Sequence, residues 1–274
     1  MTIQAVFFDM GGTIETYAWT PELRIKATPG IQKYLADAGI HFDLTDSQLF
    51  EIISTGLDAY HRMCVQTLEE LPPHRVWLNY ILAGYLVDPG KLAGIAEELM
   101  LYIETHYYER AMRSEVPAVL DSIQKMGYKI GLISNVNSRG QVPTNLKAYG
   151  IFHYFDPIVL SSEYGRRKPD PAIFHHAARL ANVPASACLY IGDRIVRDID
   201  GAQRAGFGKS VQIRHDFEHG ENDEGAMPDA VIVNMTELLD ILRADHDRKT
   251  AGTPEEVGVR GEVRDRHRGW HQYR

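Results

Sequence analysis

The stretch Ala5-Val6-Phe7-Phe8-Asp9-Met10-Gly11-Gly12-Thr13 decides how this chain folds. Residues 3–8 form a near-continuous apolar run, as expected for a strand buried on both faces. The run delivers a carboxylate at Asp9, and two glycines then let the backbone turn tightly. In an open parallel sheet, ligands bind beyond the carboxyl ends of the strands. An Asp placed there can act as nucleophile or metal ligand, and amides of a Gly-Gly turn can approach an anion. Asp also starts ordinary turns. This stretch alone weighs the two readings evenly; three later stretches decide between them.

Outward from it, the pattern is helical between Thr13 and Ser114. A short helix is expected over 28–38, and Thr45-Asp46 caps a long amphipathic one running to Leu68. Pro72-Pro73 stops that helix and starts another over 74–86. Asp88-Pro89 opens a fourth toward Tyr108, with an N-cap followed by a first-turn proline. The block reads as a helical bundle inserted after the first strand. Its Trp77, Tyr80, Tyr85, Met100 and Tyr102 read as bundle core, not as a cofactor box. From Ser114 onward, helices (115–126, 139–149, 171–181, 198–205, 236–242) alternate with short apolar strands (128–133, 157–160, 187–191, 210–213, 230–233). Repeated strand-helix-strand units give an α/β fold with a doubly wound parallel sheet. The expected organisation is a core of residues 1–14 and 111–243, a helical insert over 15–110, and a charged, flexible tail over 244–274.

Composition narrows the function classes. The chain has 274 residues, 44% hydrophobic and 24% charged, with a formal net charge of -8. That is ordinary for a soluble globular protein and argues against nucleic acid or an anionic membrane as partner. Cys64 and Cys188 lie far apart and read as small core residues in a reducing compartment. No run of about 18 apolar residues offers a membrane span. No leader precedes the first strand pattern, so a cytoplasmic location is expected.

Four polar signals fall where a parallel sheet exposes them together: Asp9, Ser134-Asn135, Lys168, and Asp193 with Asp198. Each alone has a plainer reading. Ser134-Asn135 suits a turn, Lys168-Pro169-Asp170-Pro171 suits the start of a helix, and Gly192-Asp193 suits a tight turn before a helix capped by Asp198. Four such coincidences at strand ends are much less probable than one. Together they suit phosphoryl transfer. A carboxylate attacking phosphorus meets a group that is already negative, and a divalent cation with a lysine offsets that repulsion. Carboxylates and a backbone carbonyl are hard oxygen donors suited to Mg²⁺, and a hydroxyl such as Ser134 can fix a phosphate oxygen.

On these motifs the sequence resembles the haloacid dehalogenase (HAD) superfamily of Asp-nucleophile hydrolases, with a helical cap inserted after the first motif. The resemblance covers residues 3–242 and implies a HAD-like Rossmannoid core. It implies that Asp9 is the nucleophile and a metal ligand, with Ser134, Asn135, Lys168 and Gly12 around the phosphoryl group. Asp193 is implied as a direct Mg²⁺ ligand, with Asp198 orienting it or its waters and the Gly11 backbone carbonyl completing the site. The implied partner is a small phosphorylated substrate.

One departure matters. Family phosphatases carry a second Asp two positions after the nucleophile, where this chain has Gly11. That Asp protonates the leaving alkoxide and then activates water, work worth ~10²–10⁴-fold in rate. Its loss should slow turnover on alkyl phosphates more than on aryl or acyl phosphates. Glu15, His61 and His74 are stand-ins by position, and Arg62, His74 and Arg75 are candidate anion contacts, though solvated or packed roles suit them better. Dehalogenases in the family also lack the Asp, yet do not need the pair at Asp193 and Asp198. Phosphonate-cleaving members use a lysine from the early cap, and none lies between Lys33 and Lys91. The expectation is therefore a Mg²⁺-dependent phosphatase with room for weak turnover. A catalytically impaired phosphate-binding or regulatory protein is the alternative, followed by a dehalogenase or phosphonate hydrolase.

Overall fold

The computed structural model describes residues 2–214 and 225–251. Its centre is β1 (Ala5–Phe8), flanked on one side by β4 (Lys129–Ser134) and on the other by β6 (Cys188–Gly192). Beyond β4 lies β5 (Ile158–Leu160); beyond β6 lie β7 (Lys209–Ile213) and β8 (Ala230–Ile232). Every pairing in this six-stranded sheet is parallel, with Phe8 level with Leu132 and Ile191. The chain fills one side of β1 and then crosses to the other, which makes the carboxyl end of β1 the switch point where such sheets bind ligands.

Strand alternation sorts the core into two layers. Val6 and Phe8 face α5 (Val116–Lys125), α6 (Gln141–Ala148) and α10 (Glu237–Ala251). Ala5 and Phe7 face α8 (Pro171–Leu180) and α9 (Asp200–Arg204). Both faces are covered, which is why β1 carries no polar alternation.

Between β1 and β4 stands the helical insert. It contains α1 (Pro21–Asp37), α2 (Asp46–Thr67), α3 (Pro73–Val76) running into a π-helical turn at Trp77–Ile81, and α4 (Pro89–His106). These bury a hydrophobic cluster of their own around Tyr60, Trp77 and Met100. Thr45 caps α2 as expected, and Gln48 bonds back to the Thr45 N–H to make the cap reciprocal. Among the described residues no helix is long and apolar enough to cross a membrane.

Several expectations need correction. The chain does not turn helical directly after Thr13: β2 (Glu15–Ala18) pairs antiparallel with β3 (Glu109–Met112) and forms a stem for the insert. Strands of four residues carry too little periodicity to be read, and their partner is remote in sequence. The first helix starts at Pro21, not at residue 28, because the Thr20 hydroxyl accepts the Leu23 N–H at 3.1 Å and caps it. Thr28-Pro29-Gly30, which resembles a helix start, lies inside α1, with Gly30 packed against Tyr102. The segment expected to be helical from Asp198 begins with a π-helical turn at Ile195–Ile199. The last helix continues through Ala251, past the expected start of the tail, with Asp245 accepting the Ile3 N–H at 2.9 Å. The rest of that tail, 252–274, lies outside the described residues.

Among the contacts that fasten the insert to the core, two centre on the buried carboxylates Glu15 and Glu70. At the stem, the buried Glu15 carboxylate accepts from Arg110 (2.6 Å), Asn145 (2.9 Å), Tyr149 (2.8 Å) and Gln141 (3.4 Å). On the other side, the Arg167 N–H donates to Leu68 O and the Glu70 N–H to Gly165 O. There the buried Glu70 carboxylate accepts from Ser161 (2.6 Å) and Tyr60, and lies 3.1 Å from Arg167. Removing one partner of a buried ion pair leaves the other desolvated and uncompensated, which costs about 3–5 kcal/mol. Glu15→Ala is therefore expected to lower unfolding free energy by about that amount in urea denaturation. A loss below about 1 kcal/mol, as for a surface pair, contradicts this role.

Candidate active site

The site assembles at the carboxyl ends of the central strands. Asp9 follows β1, and its backbone N–H donates to Ile191 O at 2.9 Å, which ties it to β6. Ser134 ends β4, and Asp193 follows β6; both are buried. Lys168 reaches in from the loop ahead of α8. The Asn135 side chain clamps that loop, donating to Lys168 O at 3.0 Å and accepting the Lys168 N–H at 2.8 Å. Both ends of the Asn135 amide are thus engaged in presenting Lys168.

The Lys168 ammonium lies 2.7 Å from Asp9 Oδ1 and 2.6 Å from Asp198 Oδ1, and donates to Tyr190 Oη at 2.8 Å. Asp198 is fully buried in the π-helical turn, where its Oδ2 accepts the Arg194 N–H at 3.0 Å. A Cβ on Gly192 would collide with the Asp198 carboxylate, so this glycine lets the two segments close. Asp193 lies 3.4 Å from Arg194 Nε and 3.9 Å from Arg197. One carboxylate oxygen from each of Asp9, Asp193 and Asp198 falls within 4.8 Å of the others. A buried, oxygen-only donor set of this kind suits a hard divalent cation. Burial pushes the Asp9 carboxyl up to about 6, opposed by Lys168 and reinforced by Asp198 and Asp193.

The two glycines after Asp9 differ. Gly12 has φ +84°, and a Cβ there would run into the Asp193 carboxylate. Its N–H donates to Glu15 O at 2.7 Å and its carbonyl accepts from Arg113 at 2.9 Å. Its amide is therefore used inside the turn, and it does not border the cavity described next. Gly11 does border it. A Cβ on Gly11 would sit 3.6 Å from the Tyr17 ring and 3.9 Å from an Arg110 nitrogen, both ordinary contacts.

A cavity of about 200 Å³ opens over Asp9, Gly11, Ser134, Asn135 and Lys168. Tyr17, His61, Glu104, Tyr108 and Arg110 of the insert and its stem close it, together with Arg167 and Arg197 from the core. None of Glu15, Arg62, His74 or Arg75 borders it. The Glu15 carboxylate is held by its four donors beneath the stem. Glu104 is paired with Arg110 at 3.0 Å and accepts the Asn137 N–H at 3.3 Å. His61 does face the cavity, and burial together with Arg167, Arg197 and Arg24 holds its ring down at about 4, so it is neutral at pH 7. Sequence reasoning missed Tyr190, Arg167, Arg197 and Arg110. Arg167 and Arg197 each stand one position before a residue it did single out; Arg110 needs the fold of the insert to be seen.

A family model described as haloacid dehalogenase-like hydrolase matches residues 3–206. Glyceraldehyde 3-phosphate phosphatase of Methanopyrus kandleri is 29% identical over 245 residues, 88% of this chain and 97% of the relative. Two solved structures are similar to the whole arrangement. A HAD phosphatase from Thermococcus onnurineus has a TM-score of 0.56 at 22% identity, covering 88% of this chain and 98% of its own. A 2-haloacid dehalogenase from Pseudomonas syringae has a TM-score of 0.57 at 26% identity, covering 88% and 99%.

Two outcomes follow from the site's construction. Gly11→Ala is expected to melt within a few degrees of wild type, whereas Gly12→Ala, strained in φ and blocked by Asp193, loses substantially more. Equal melting temperatures for the two variants contradict the contrast. His61 binds its proton more weakly folded than unfolded, so between pH 6.5 and about 4 the unfolded chain holds more protons. The stability His61 contributes is lost as pH drops through that window, while Asp9, which holds its proton more tightly folded than unfolded, contributes with the opposite sign, so His61→Gln should lower the slope of stability against pH in denaturation curves taken across it.

Proposed function

We propose that this chain, which belongs to the haloacid dehalogenase-like hydrolase family, is a Mg²⁺-dependent phosphatase of small phosphorylated metabolites working through an aspartyl-phosphate. The observation that carries the reading is Lys168 held 2.7 Å from Asp9 and 2.6 Å from Asp198, with Asp193 in the same carboxylate cluster. An Asp attacking a haloalkane carbon does not need the carboxylate pair at Asp193 and Asp198, whereas transfer of an anionic phosphoryl group is helped by a cation held there. The M. kandleri relative, a phosphatase by name, supports the same choice.

In this reading an Asp9 carboxylate oxygen bonds to phosphorus as the bond to the leaving oxygen breaks. Lys168 offsets the charge that gathers on the phosphoryl oxygens and keeps Asp9 oriented, while Ser134 binds one of those oxygens. Asp9, Asp193 and the Gly11 carbonyl would hold Mg²⁺, with Asp198 fixing Lys168 and the 194–198 turn behind them. The metal would supply further positive charge at the transferring group. Water then cleaves the aspartyl-phosphate, releasing phosphate and restoring the Asp9 carboxylate. The helical insert acts as the cap, and its stem and seam set how far it opens to solvent. A cytoplasmic location suits a metabolite substrate.

Gly11 favours a second reading, a protein that binds phosphate ligands without efficient turnover. One assay separates the two. Acetyl phosphate has a leaving group that needs no proton, so the enzyme should hydrolyse it with Mg²⁺, and chelation or Asp9→Asn should abolish this. A silent wild type beside an active Gly11→Asp variant would instead establish the binding protein.

A further inference from the structure

Beside the cavity over Asp9 lies a larger groove of about 650 Å³, and the two share His61, Asn135, Arg167, Lys168 and Arg197. Its remaining wall is apolar except for Arg194: Cys64, Val65 and Leu68 from α2 and its end, Pro169 next to Lys168, and Val196 in the π-helical turn. Val65 is 78% exposed and Val196 42% exposed, so two branched aliphatic side chains flank the groove in water. A phosphoryl group seated on Asp9 and Lys168 would have this groove as its neighbour. The groove is too large for a two- or three-carbon leaving group and too apolar to prefer a polyol.

A second, independent observation concerns protons. Gly11, two positions after Asp9, has no side chain to give a proton, and the space above its Cα faces the Tyr17 ring and the Arg110 guanidinium. Glu104, a carboxylate bordering the cavity outside the aspartate cluster, is ion-paired with Arg110. The ring of His61 is neutral, as described above. Arg167, which also pairs with Glu70, and Arg197, 3.9 Å from Asp193, border both spaces and bring two guanidinium groups to their junction.

We propose that the substrates of this site are aryl phosphates, whose flat apolar body lies in the groove and whose acidic oxygen leaves as an anion. The inference rests on the phosphatase reading above. Asp9 forms its bond to phosphorus as the phosphorus–oxygen bond to the ring breaks. The aryl oxygen departs with the electron pair beside Arg167 and Arg197 and takes a proton from solvent on release. A water oxygen then attacks phosphorus and keeps one of its protons, the other returns to solvent in place of the one the aryl oxygen took, and the Asp9 carboxylate is regenerated. The sum is one water consumed, one phenol and one hydrogen phosphate formed.

The test compares substituted phenyl phosphates of graded leaving-group acidity, 1-naphthyl phosphate, glycerol phosphate and acetyl phosphate, all with Mg²⁺. Wild type should show kcat/KM falling steeply as the leaving group becomes less acidic, with glycerol phosphate ~10²–10⁴-fold below phenyl phosphate, and Gly11→Asp should shrink that gap. Val65→Asn, and separately Val196→Ser, should lower the ratio of kcat/KM for naphthyl phosphate to that for acetyl phosphate about tenfold, the effect of one lost aliphatic contact. Glycerol phosphate turned over within tenfold of phenyl phosphate by wild type, or a ratio unmoved in both valine variants, overturns the assignment. Acetyl phosphate left intact by wild type and by Gly11→Asp overturns the phosphatase reading and this one with it.

Discussion

The site depends on one buried ammonium. Lys168 bridges two carboxylates that the fold brings to the same point, Asp9 from the end of β1 and Asp198 from the turn after β6. Two unpaired carboxylates buried this close would repel each other and would hold protons instead of charge. With the lysine between them, the sheet can close at its carboxyl end. Asn135 and Tyr190 exist in this arrangement to hold the lysine: one grips its backbone from β4, the other its ammonium from β6. The residue that would stabilise a transferred anion is thus the same one that makes the unliganded site stable.

How much of this is legible in the sequence depends on how local each signal is. Asp9, Ser134 and Asp193 sit directly after apolar runs, so finding the strands finds the residues. Lys168 follows no strand and is marked only by the prolines and Asp170 after it. Tyr190 looks like core because it is core; its hydroxyl matters only once Lys168 has been placed. The stem is invisible for a different reason. Glu15 pairs with Met112 across the whole helical insert, and neither four-residue strand announces itself. Glu15 is also the clearest misdirection, since its closeness in sequence to Gly11 suggests a spare acid. Its carboxylate is turned instead to Arg110, Asn145 and Tyr149.

Gly11 and Gly12 show that adjacent glycines can serve unlike ends. Gly12 is required by backbone conformation and by the carboxylate pressed against it. Gly11 has no such requirement, and its Cβ direction is open enough for a side chain. The absence of an acid at that position is therefore a chemical property of the site rather than a demand of the turn. The space beside Asp9 is instead bordered by Tyr17 and Arg110 of the stem and by Arg167 and Arg197, residues that come from different parts of the chain.

The placement of β1 also bears on how the molecule is made. Its two neighbours in the sheet are drawn from residues 129–132 and 188–191, so β1 is synthesised well before either of its partners. Until then Ala5–Phe8 is an apolar strand with both edges bare, the kind of segment that associates with other chains. The helical insert, emerging next with a hydrophobic cluster of its own, can compact while β1 waits. Asp9 is translated early and joins Lys168, Asp193 and Asp198 only when nearly the whole sheet has been synthesised.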